Sequence, residues 1–264
     1  MLVDYHLHLR EDGHRLSHTV ETVERWVETA RNRGVAELGF TEHVYYFVET
    51  RPLWTQPYHV ERCRIPIEPY VESVVEGKGR GLPVKLGVEV DYIPGREEET
   101  RELLAPYPWD FLLGSIHFLD GLAIDAEPSL VGAVGPEEAY SRYFDLLGQA
   151  AGSGLFDALA HPDLVKFFGG VIGWDWDAVV ARLDGVCLEV STAGMYKPHG
   201  RMYPEPELLA AARRAGVPIT LASDAHEPAD VGRDLQQGAE HARAAGYETV
   251  TVFEERRARQ VPLG

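Results

Sequence analysis

The sequence has little of what several protein classes require. Its 264 residues include only two cysteines, Cys63 and Cys187, too few for a disulfide framework. No apolar run approaches the roughly 18 residues of a membrane span, and the amino-terminal segment lacks the charged and apolar regions of a secretory signal. We therefore expect a cytoplasmic protein that does not associate with membranes.

Basic residues are also scarce. Lys and Arg number 25 against 42 Asp and Glu, which gives a formal net charge of -17. Because binding to a phosphate backbone needs a basic face, we predict that the chain does not bind nucleic acid. Apolar residues make up 45% of the chain, an ordinary share for a globular core, and no repeat or linker divides it. We expect one domain over residues 1–264.

Segments with strand and helix patterns alternate along the chain. The predicted strands cover residues 2–8, 36–41, 85–92, 110–117, 156–160, 186–190, 218–222 and 249–253. The predicted helices cover residues 20–30, 65–76, 96–105, 136–151, 175–183, 205–215 and 230–245. Seven or eight strands that alternate with helices favour an α/β fold of the (β/α) barrel type over an open sheet.

Histidine, in contrast, is abundant, with eleven residues. Six side chains of metal-ligand type lie at or just past the carboxyl end of a predicted strand. They are His8, His43, Glu89, His117, His161 and Asp224. A barrel gathers its active site at that end of its strands, so we predict a site there.

The spacing of these residues favours metal binding. Strand alternation places the imidazoles of His6 and His8 on one side, and Asp224 and His226 repeat that spacing. Glu89 stands inside an apolar strand, where an unpaired carboxylate is costly. The candidates comprise seven histidines and two carboxylates, too many for one tetrahedral ion. They are His6, His8, His14, His43, Glu89, His117, His161, Asp224 and His226. A multinuclear site follows.

The motifs and their order resemble the PHP (polymerase and histidinol phosphatase) superfamily over residues 2 to about 230, and within it the histidinol-phosphate phosphatases. The motifs are His6-x-His8, His14, Glu42-His43, Gly87-Val88-Glu89-Val90-Asp91-Tyr92, Ser115-Ile116-His117-Phe118, His161 and Ser223-Asp224-Ala225-His226. The resemblance implies a distorted (β/α)7 TIM-like barrel with three divalent metal ions at the carboxyl ends of the strands. Their identity, zinc, iron or manganese, stays open.

The resemblance also implies a division of the ligands among the three ions. His6, His8, Glu89 and Asp224 would hold the first ion, and Glu89 would bridge to a second. His117 and His161 would hold the second, and His14, His43 and His226 the third. Relatives often carry Cys-Pro-His-Gly where this chain has Asp12-Gly13-His14-Arg15, and His18 competes with His14 as the ligand.

The activity implied by the resemblance is hydrolysis of L-histidinol phosphate to L-histidinol and phosphate in histidine biosynthesis. A metal-bridging hydroxide would attack the phosphorus, since clustered divalent ions acidify bound water. The alternatives are a phosphoesterase of the same family that acts on nucleotides or other small phosphoesters, and a non-catalytic module. The oligomeric state stays open.

Several residues are candidates for further roles in this reaction. Asp224 or His226 would pass a proton to the leaving alkoxide. Lys166 is the first choice for the phosphate anchor, ahead of Lys197, Arg201 and Arg233. Recognition of the substrate imidazole or ammonium group is assigned to one or more of Glu42, Asp91, Tyr92, Phe118 and Tyr196. The remaining histidines, expected at the surface, are His59, His199 and His241.

Overall fold

A seven-stranded parallel sheet forms the centre of the fold. The computed structural model describes residues 1–12, 15–124, 135–168 and 173–264. The sheet strands, in their spatial order, are β1 (Leu2–Leu7), β2 (Val35–Phe40), β3 (Val84–Asp91), β4 (Phe111–Ser115), β7 (Ala158–Leu159), β8 (Cys187–Ser191) and β9 (Ile219–Ala222). Two short antiparallel strands, β5 (Phe118–Leu119) and β6 (Leu122–Ala123), follow β4.

Helices connect most neighbouring strands of this sheet. They are α1 (Val20–Asn32), α2 (Pro57–Arg62), α3 (Glu68–Gly79), α4 (Glu97–Leu104), α5 (Pro136–Gly152), α6 (Trp176–Val180), α7 (Pro206–Ala215) and α8 (Leu235–Ala244). Short 3-10 segments cover Val44–Tyr46, Val48–Leu53, Leu164–Phe168, Ala193–Tyr196 and Pro228–Asp230. In the part of the chain given above, no helix is long and apolar enough to cross a bilayer.

The first and last strands of the sheet meet, which nearly closes a barrel. The backbone N–H of His8 donates to the carbonyl oxygen of Ala225 at 2.9 Å. The buried carboxylate of Asp4 accepts hydrogen bonds from the backbone N–H groups of Ser223 and Gly232, each at 2.8 Å. Burial raises the pKa of Asp4 to about 6, against the lowering effect of these hydrogen bonds. The predicted barrel of seven strands is confirmed.

A carboxyl-terminal hairpin covers the amino-terminal ends of the barrel strands. It consists of β10 (Thr249–Glu254) and β11 (Arg257–Pro262). Arg256 in its turn pairs with Asp157, which directly precedes β7. The ring of Phe253 stacks on Phe111, and a Cβ atom on Gly87 would lie only 2.6 Å from the Phe111 ring. Aromatic packing therefore fills the barrel at this end, and polar residues are gathered at the other.

Some element boundaries differ from the prediction. The helix predicted over residues 230–245 begins only at Leu235, because Pro228–Asp230 forms a separate turn and Asp234 has a left-handed backbone, with φ of 56°. The strand predicted over residues 156–160 shrinks to Ala158–Leu159. The strand predicted over residues 249–253 is β10, which lies outside the barrel.

Candidate metal centre

Imidazoles and carboxylates converge at the carboxyl-terminal ends of the barrel strands. Three groups have one ligand atom per residue within 4.8 Å of one another. The groups are His6, Glu89 and His161; His6, His8 and Asp224; and His8, His43 and His226. Because two residues belong to more than one group, the groups form one continuous cluster. Strands β1 and β3 and the loops after β1, β2, β7 and β9 supply these side chains.

Glu89 lies at the centre of the cluster and is 1% exposed. Its Oε1 atom lies 3.4 Å from the Nε2 atoms of three histidines. They are His6, His117 and His161. Its Oε2 atom lies 2.6 Å from His43 Nδ1 and 3.8 Å from His8 Nε2. One carboxylate thus faces five imidazoles, a position that suits a ligand shared between ions.

The donor atoms of the cluster suit divalent cations. Several buried side-chain atoms have no hydrogen-bond partner in the described residues, a state that is costly for polar groups. They are His6 Nε2, His8 Nε2, Glu89 Oε1 and Asp224 Oδ1. In addition, His117 Nε2 lies 3.2 Å from His161 Nε2. Imidazole nitrogens and carboxylate oxygens are the usual ligands of zinc and similar ions, so the residues fit such ions.

Three of the imidazoles have a buried carboxylate next to their Nδ1 atom. His6 Nδ1 lies 2.7 Å from Glu189 Oε2, and His117 Nδ1 lies 2.7 Å from Asp91 Oδ1. His8 Nδ1 lies 3.4 Å from Glu42 Oε1. Such carboxylates keep the proton on Nδ1 and leave Nε2 free for a metal. The sequence prediction missed Glu189, although it stands inside an apolar strand just as Glu89 does.

Changing Glu189 to Gln should weaken metal binding by about tenfold to a hundredfold, the usual cost of losing such a partner. Glu189 is fully buried, and its second oxygen accepts the backbone N–H of His161 at 3.2 Å. A neutral amide keeps the volume but no longer raises the basicity of His6. Competition with a chromogenic chelator measures the affinity, and Glu76→Gln on the exposed face of α3 is the matched control. Unchanged affinity in Glu189→Gln would contradict this role.

The charges of the cluster set its protonation state. Burial together with the neighbouring His8 lowers the pKa of His43 to about 4, and the same causes lower the pKa of His226 well below 6.5. Burial opposes the ionised form of Asp224, but the nearby His6 and His8 outweigh it and hold its pKa well below 3.8. At neutral pH, His43 and His226 are therefore neutral and Asp224 is ionised.

Metal binding at pH 7 should release protons. Burial opposes the charged form of His6, but the carboxylates of Glu189, Asp224 and Glu89 outweigh it and raise its pKa well above 6.5. Metal-free His6 is therefore protonated at pH 7, whereas a ligand must be neutral, so metal affinity should fall as the pH falls. Titration calorimetry in buffers of different ionisation enthalpy counts the released protons. Zero release at pH 7 would refute this expectation.

Two residues of the cluster have a strained backbone. His161 has φ of 25° and Asp224 has φ of 51°, in the region where residues other than glycine are uncommon. Strain of this kind gathers at functional sites, where the surrounding structure enforces it. The fold thus positions both side chains at some cost in stability.

A pocket of about 240 Å³ opens onto the cluster. His43, Glu89, His117, His161, Asp224 and His226 line it together with aromatic side chains. Two cations also line it, Arg10 and Lys197. Arg10 is 9% exposed, its Nη2 lies 3.4 Å from the hydroxyl of Tyr46, and its carbonyl oxygen accepts the indole N–H of Trp26. The sequence prediction included Lys197 and missed Arg10.

Lys166, the first choice for the phosphate anchor, lies elsewhere. Its side chain is 1% exposed, and its Nζ lies 3.0 Å from Asp163 Oδ2 and 2.8 Å from Glu205 Oε1. Because two carboxylates already engage this ammonium group, the structure does not favour Lys166 as the anchor. Arg201 likewise pairs with Glu205, at 3.1 Å, and its side chain is half exposed.

Other predicted residues also differ from expectation. Glu42 is fully buried, its Oε1 lies 3.4 Å from His8 Nδ1, and it does not line the pocket, so the structure does not favour it as a contact for the substrate. His14 lies outside the described residues. His18 Nε2 lies 3.5 Å from Glu42 Oε2 and belongs to none of the three ligand groups found in the described residues.

The surface placement predicted for His59 is wrong, because its side chain packs among aromatic rings and is 4% exposed. His199 and His241 are partly buried, and each contacts a residue of the loop before α7. Arg233 is held by an ion pair with Asp230 at 2.8 Å. Its guanidinium carbon lies 3.5 Å from the ring centre of Tyr196, which is exposed.

Comparison with known proteins agrees with this geometry. Residues 4–196 match the family model of the PHP domain. A Deinococcus radiodurans protein named "Probable histidinol-phosphatase" is 34% identical over 262 residues, which cover 95% of this chain and 96% of the relative. The histidinol-phosphatase of Bacillus subtilis is 27% identical over 80% of this chain and 90% of its own.

A solved structure shares the fold. It is the histidinol phosphate phosphatase of Lactococcus lactis, in complex with zinc, L-histidinol and phosphate. The two chains superpose with a TM-score of 0.75 over 98% of each, at 18% sequence identity. The architecture of the barrel is therefore common to both proteins.

Proposed function

The chain belongs to the PHP-domain family, and we propose from this that it is a metal-dependent histidinol-phosphatase that converts L-histidinol phosphate to L-histidinol and phosphate. The observation that carries the proposal is the cluster around Glu89, found in a chain that matches a named histidinol-phosphatase over 95% of its length. We place it in the cytoplasm, in histidine biosynthesis, and treat residues 1–264 as one domain.

We propose three metal ions, with the ligands divided as the family resemblance implies. His6, His8, Glu89 and Asp224 would hold the first, and Glu89 would also reach the second, beside His117 and His161. His43 and His226 would hold the third with His14. When bound, zinc, iron or manganese ions would neutralise charge on the phosphoryl oxygens and lower the pKa of water.

The chain's own cations and carboxylates supply the remaining functions of the site. Arg10 and Lys197 line the pocket and are placed to bind phosphoryl oxygens. The planar guanidinium group of Arg10 can donate two parallel hydrogen bonds to such oxygens. Asp224 is ionised at neutral pH, so its carboxylate can take a proton from an attacking water and return it to the leaving oxygen. His226, neutral and on the same wall, is the alternative carrier.

A side-chain nucleophile has little support. Burial raises the pKa of the Cys187 thiol to about 12, and burial also raises the pKa of Cys63. Neither thiol is a reactive thiolate at neutral pH, and neither lines the pocket. Water is therefore the proposed nucleophile.

The activity of the purified chain tests this proposal directly. Phosphate release from L-histidinol phosphate is measured before and after dialysis against a chelator, and again after zinc, manganese or iron(II) is restored. Loss with the chelator and recovery with one of these ions is the expected outcome. No hydrolysis in any metal-loaded form would reject the proposal.

The alternative substrates are nucleotides and other small phosphoesters. Long nucleic acid is disfavoured because the net charge of -17 offers no basic face to a phosphate backbone. The net charge does not exclude short substrates, since Arg10 and Lys197 provide positive charge inside the pocket. We propose a small phosphomonoester as the only partner and leave the oligomeric state open.

A further inference from the structure

The loop between β8 and α7, residues 192–205, carries Lys197 to the metal pocket. It leaves the sheet after Ser191 and returns at Tyr203, which pairs with Ser191 through two backbone hydrogen bonds of 2.8 and 3.0 Å. Lys197 and Tyr203 both line the metal pocket. Within the described ranges no carboxylate pairs with Lys197, so the course of the loop decides where this ammonium group lies.

The ammonium group of Lys166 holds the returning end of the β8–α7 loop. Its Nζ donates a hydrogen bond to the carbonyl oxygen of Met202 and lies 2.8 Å from Glu205 Oε1. It also lies 3.0 Å from Asp163 Oδ2, which accepts the backbone N–H of Glu205 at 2.8 Å. The ring centre of Tyr203 is 4.7 Å from the same nitrogen. One buried cation therefore contacts three residues of the loop.

The positive charge of Lys166 is what keeps these groups together. The side chains of Lys166 and Asp163 are each 1% exposed, and that of Glu205 is 14% exposed. Both carboxylates lie within 3.0 Å of the same nitrogen. Without it, two negative groups would share a site with little water and no counter-charge, which is costly. We therefore expect the loop to move away from Asp163 when this charge is removed.

Lys166 itself stands on a segment fixed to the metal cluster. It belongs to the 3-10 segment Leu164–Phe168, which follows His161 closely. The backbone N–H of Leu164 donates to the carbonyl oxygen of His161 at 2.9 Å, and that of Lys166 donates to Asp163 at 3.1 Å. A continuous set of contacts thus connects the wall that carries His161 to the loop that carries Lys197.

We propose that Lys166 is a positioning residue for phosphate binding. It holds the β8–α7 loop against the segment after β7 and so places the ammonium group of Lys197 for the phosphoryl oxygens, without touching the substrate itself. This inference rests on the proposed function, in which Lys197 binds those oxygens. It gives a buried lysine outside the metal pocket control over the affinity for phosphate.

The variant Lys166→Met tests the inference, because methionine is close to lysine in length and volume and has no charge. We expect the affinity for inorganic phosphate, measured by calorimetry on the zinc-loaded protein, to fall about tenfold, as for one lost charge-assisted hydrogen bond. The KM for L-histidinol phosphate should rise by a similar factor. The kcat should change less, since the ammonium group of Lys197 binds the phosphoryl group both before and during the reaction.

A double variant separates positioning from an independent effect. Lys197→Met alone should also weaken phosphate binding about tenfold. If Lys166 acts through Lys197, the double variant Lys166→Met/Lys197→Met should bind phosphate about as weakly as Lys197→Met does. Independent roles would multiply to about a hundredfold.

Hydrogen exchange of the metal-free protein gives a readout that does not depend on activity. The backbone N–H groups of Lys197 and Gly200 donate within the loop, at 3.2 and 2.9 Å. In Lys166→Met, peptides from residues 194–202 should exchange faster than in the wild type, because the loop opens more easily. Peptides from α1 should exchange at the wild-type rate.

Two further variants and a metal assay control the experiment. Lys78→Met also removes a lysine that pairs with a buried carboxylate, Asp110 at 2.7 Å, and should leave phosphate affinity unchanged because Asp110 directly precedes β4 at the other end of the barrel. Glu205→Gln weakens the same contact from the loop side and should lower phosphate affinity by about threefold if Lys166→Met does not fold. Bound metal per chain should equal that of the wild type.

Unchanged phosphate affinity in folded Lys166→Met would overturn the inference, as would loss of bound metal or full phosphate affinity in Lys197→Met. A double variant that binds phosphate far more weakly than Lys197→Met would also contradict it. A failure of the proposed function gives a different result, because the wild-type protein would then bind phosphate and not hydrolyse L-histidinol phosphate.

Discussion

Glu89→Gln is expected to lose more than one metal ion per chain and to lower kcat for L-histidinol phosphate by about a thousandfold or more. The Glu89 carboxylate is 1% exposed and faces five imidazoles, those of His6, His8, His43, His117 and His161. The glutamine amide has about the same size as the carboxylate but no charge. Each ion that Glu89 would bind therefore loses an anionic ligand. Several kcal/mol of charge stabilisation in the transition state would be lost, which corresponds to such a factor in rate.

Elemental analysis of the dialysed protein, combined with steady-state kinetics, measures both effects. Glu76→Gln is the matched control, because Glu76 lies on α3 with its side chain exposed beside Arg80. Circular dichroism establishes that each variant is folded. The wild-type number of ions in folded Glu89→Gln would eliminate the shared position of this carboxylate.

Asp224→Asn should lower kcat for L-histidinol phosphate by roughly a hundredfold to ten-thousandfold, the range for loss of a proton-transfer group. Asp224 Oδ1 lies 3.5 Å from His6 Nε2 and 3.4 Å from His8 Nε2, and its side chain lines the metal pocket. Its carboxylate is ionised at neutral pH and can receive a proton. Asparagine keeps an oxygen ligand of similar size but cannot carry a proton.

The leaving group separates the two roles of Asp224. The alkoxide of histidinol needs a proton as it leaves, whereas the 4-nitrophenolate ion leaves readily without one. If Asp224 transfers the proton, Asp224→Asn should reduce turnover of L-histidinol phosphate far more than turnover of 4-nitrophenyl phosphate. Equal losses on both substrates would mean that Asp224 acts as a metal ligand alone, and the proton would then belong to His226.

The barrel and the location of the site were predictable because their signals are local. Each barrel strand is a short, mostly apolar segment with polar residues at its carboxyl end. This pattern can be recognised in the segment itself, without knowledge of the rest of the chain. Glu89 is the clearest example, since a carboxylate inside an apolar strand needs a partner. The same argument applies to Glu189, which the sequence prediction overlooked although the signal was present.

The surroundings of a side chain were not predictable where residues far away in the sequence determine them. Lys166 looks like a free cation in the sequence, and only the fold brings Glu205, 39 residues later, to within 2.8 Å of it. His59 is buried because Trp54 and Phe118 enclose it, and its own segment carries no sign of this.

The turn and second strand of the carboxyl-terminal hairpin were also not predicted. Its turn residues Glu255 and Arg256 both have a left-handed backbone, with φ of 48° and 63°, where Asn and Gly are usual. The turn is held by bonds to Asp110 and Asp157, which lie far away in the sequence. No local turn signal therefore marked this turn in the sequence.

A comparison of kcat/KM across phosphomonoesters decides whether L-histidinol phosphate is the substrate. The metal-loaded protein is assayed with L-histidinol phosphate, L-alaninol phosphate, 4-nitrophenyl phosphate and nucleoside monophosphates under one set of conditions. We expect the kcat/KM of L-histidinol phosphate to exceed that of every other substrate by at least about tenfold, the factor expected from recognition of its ring. Equal or higher kcat/KM for a nucleotide would contradict it, and the chain would then be a phosphoesterase of different specificity built on the same metal centre.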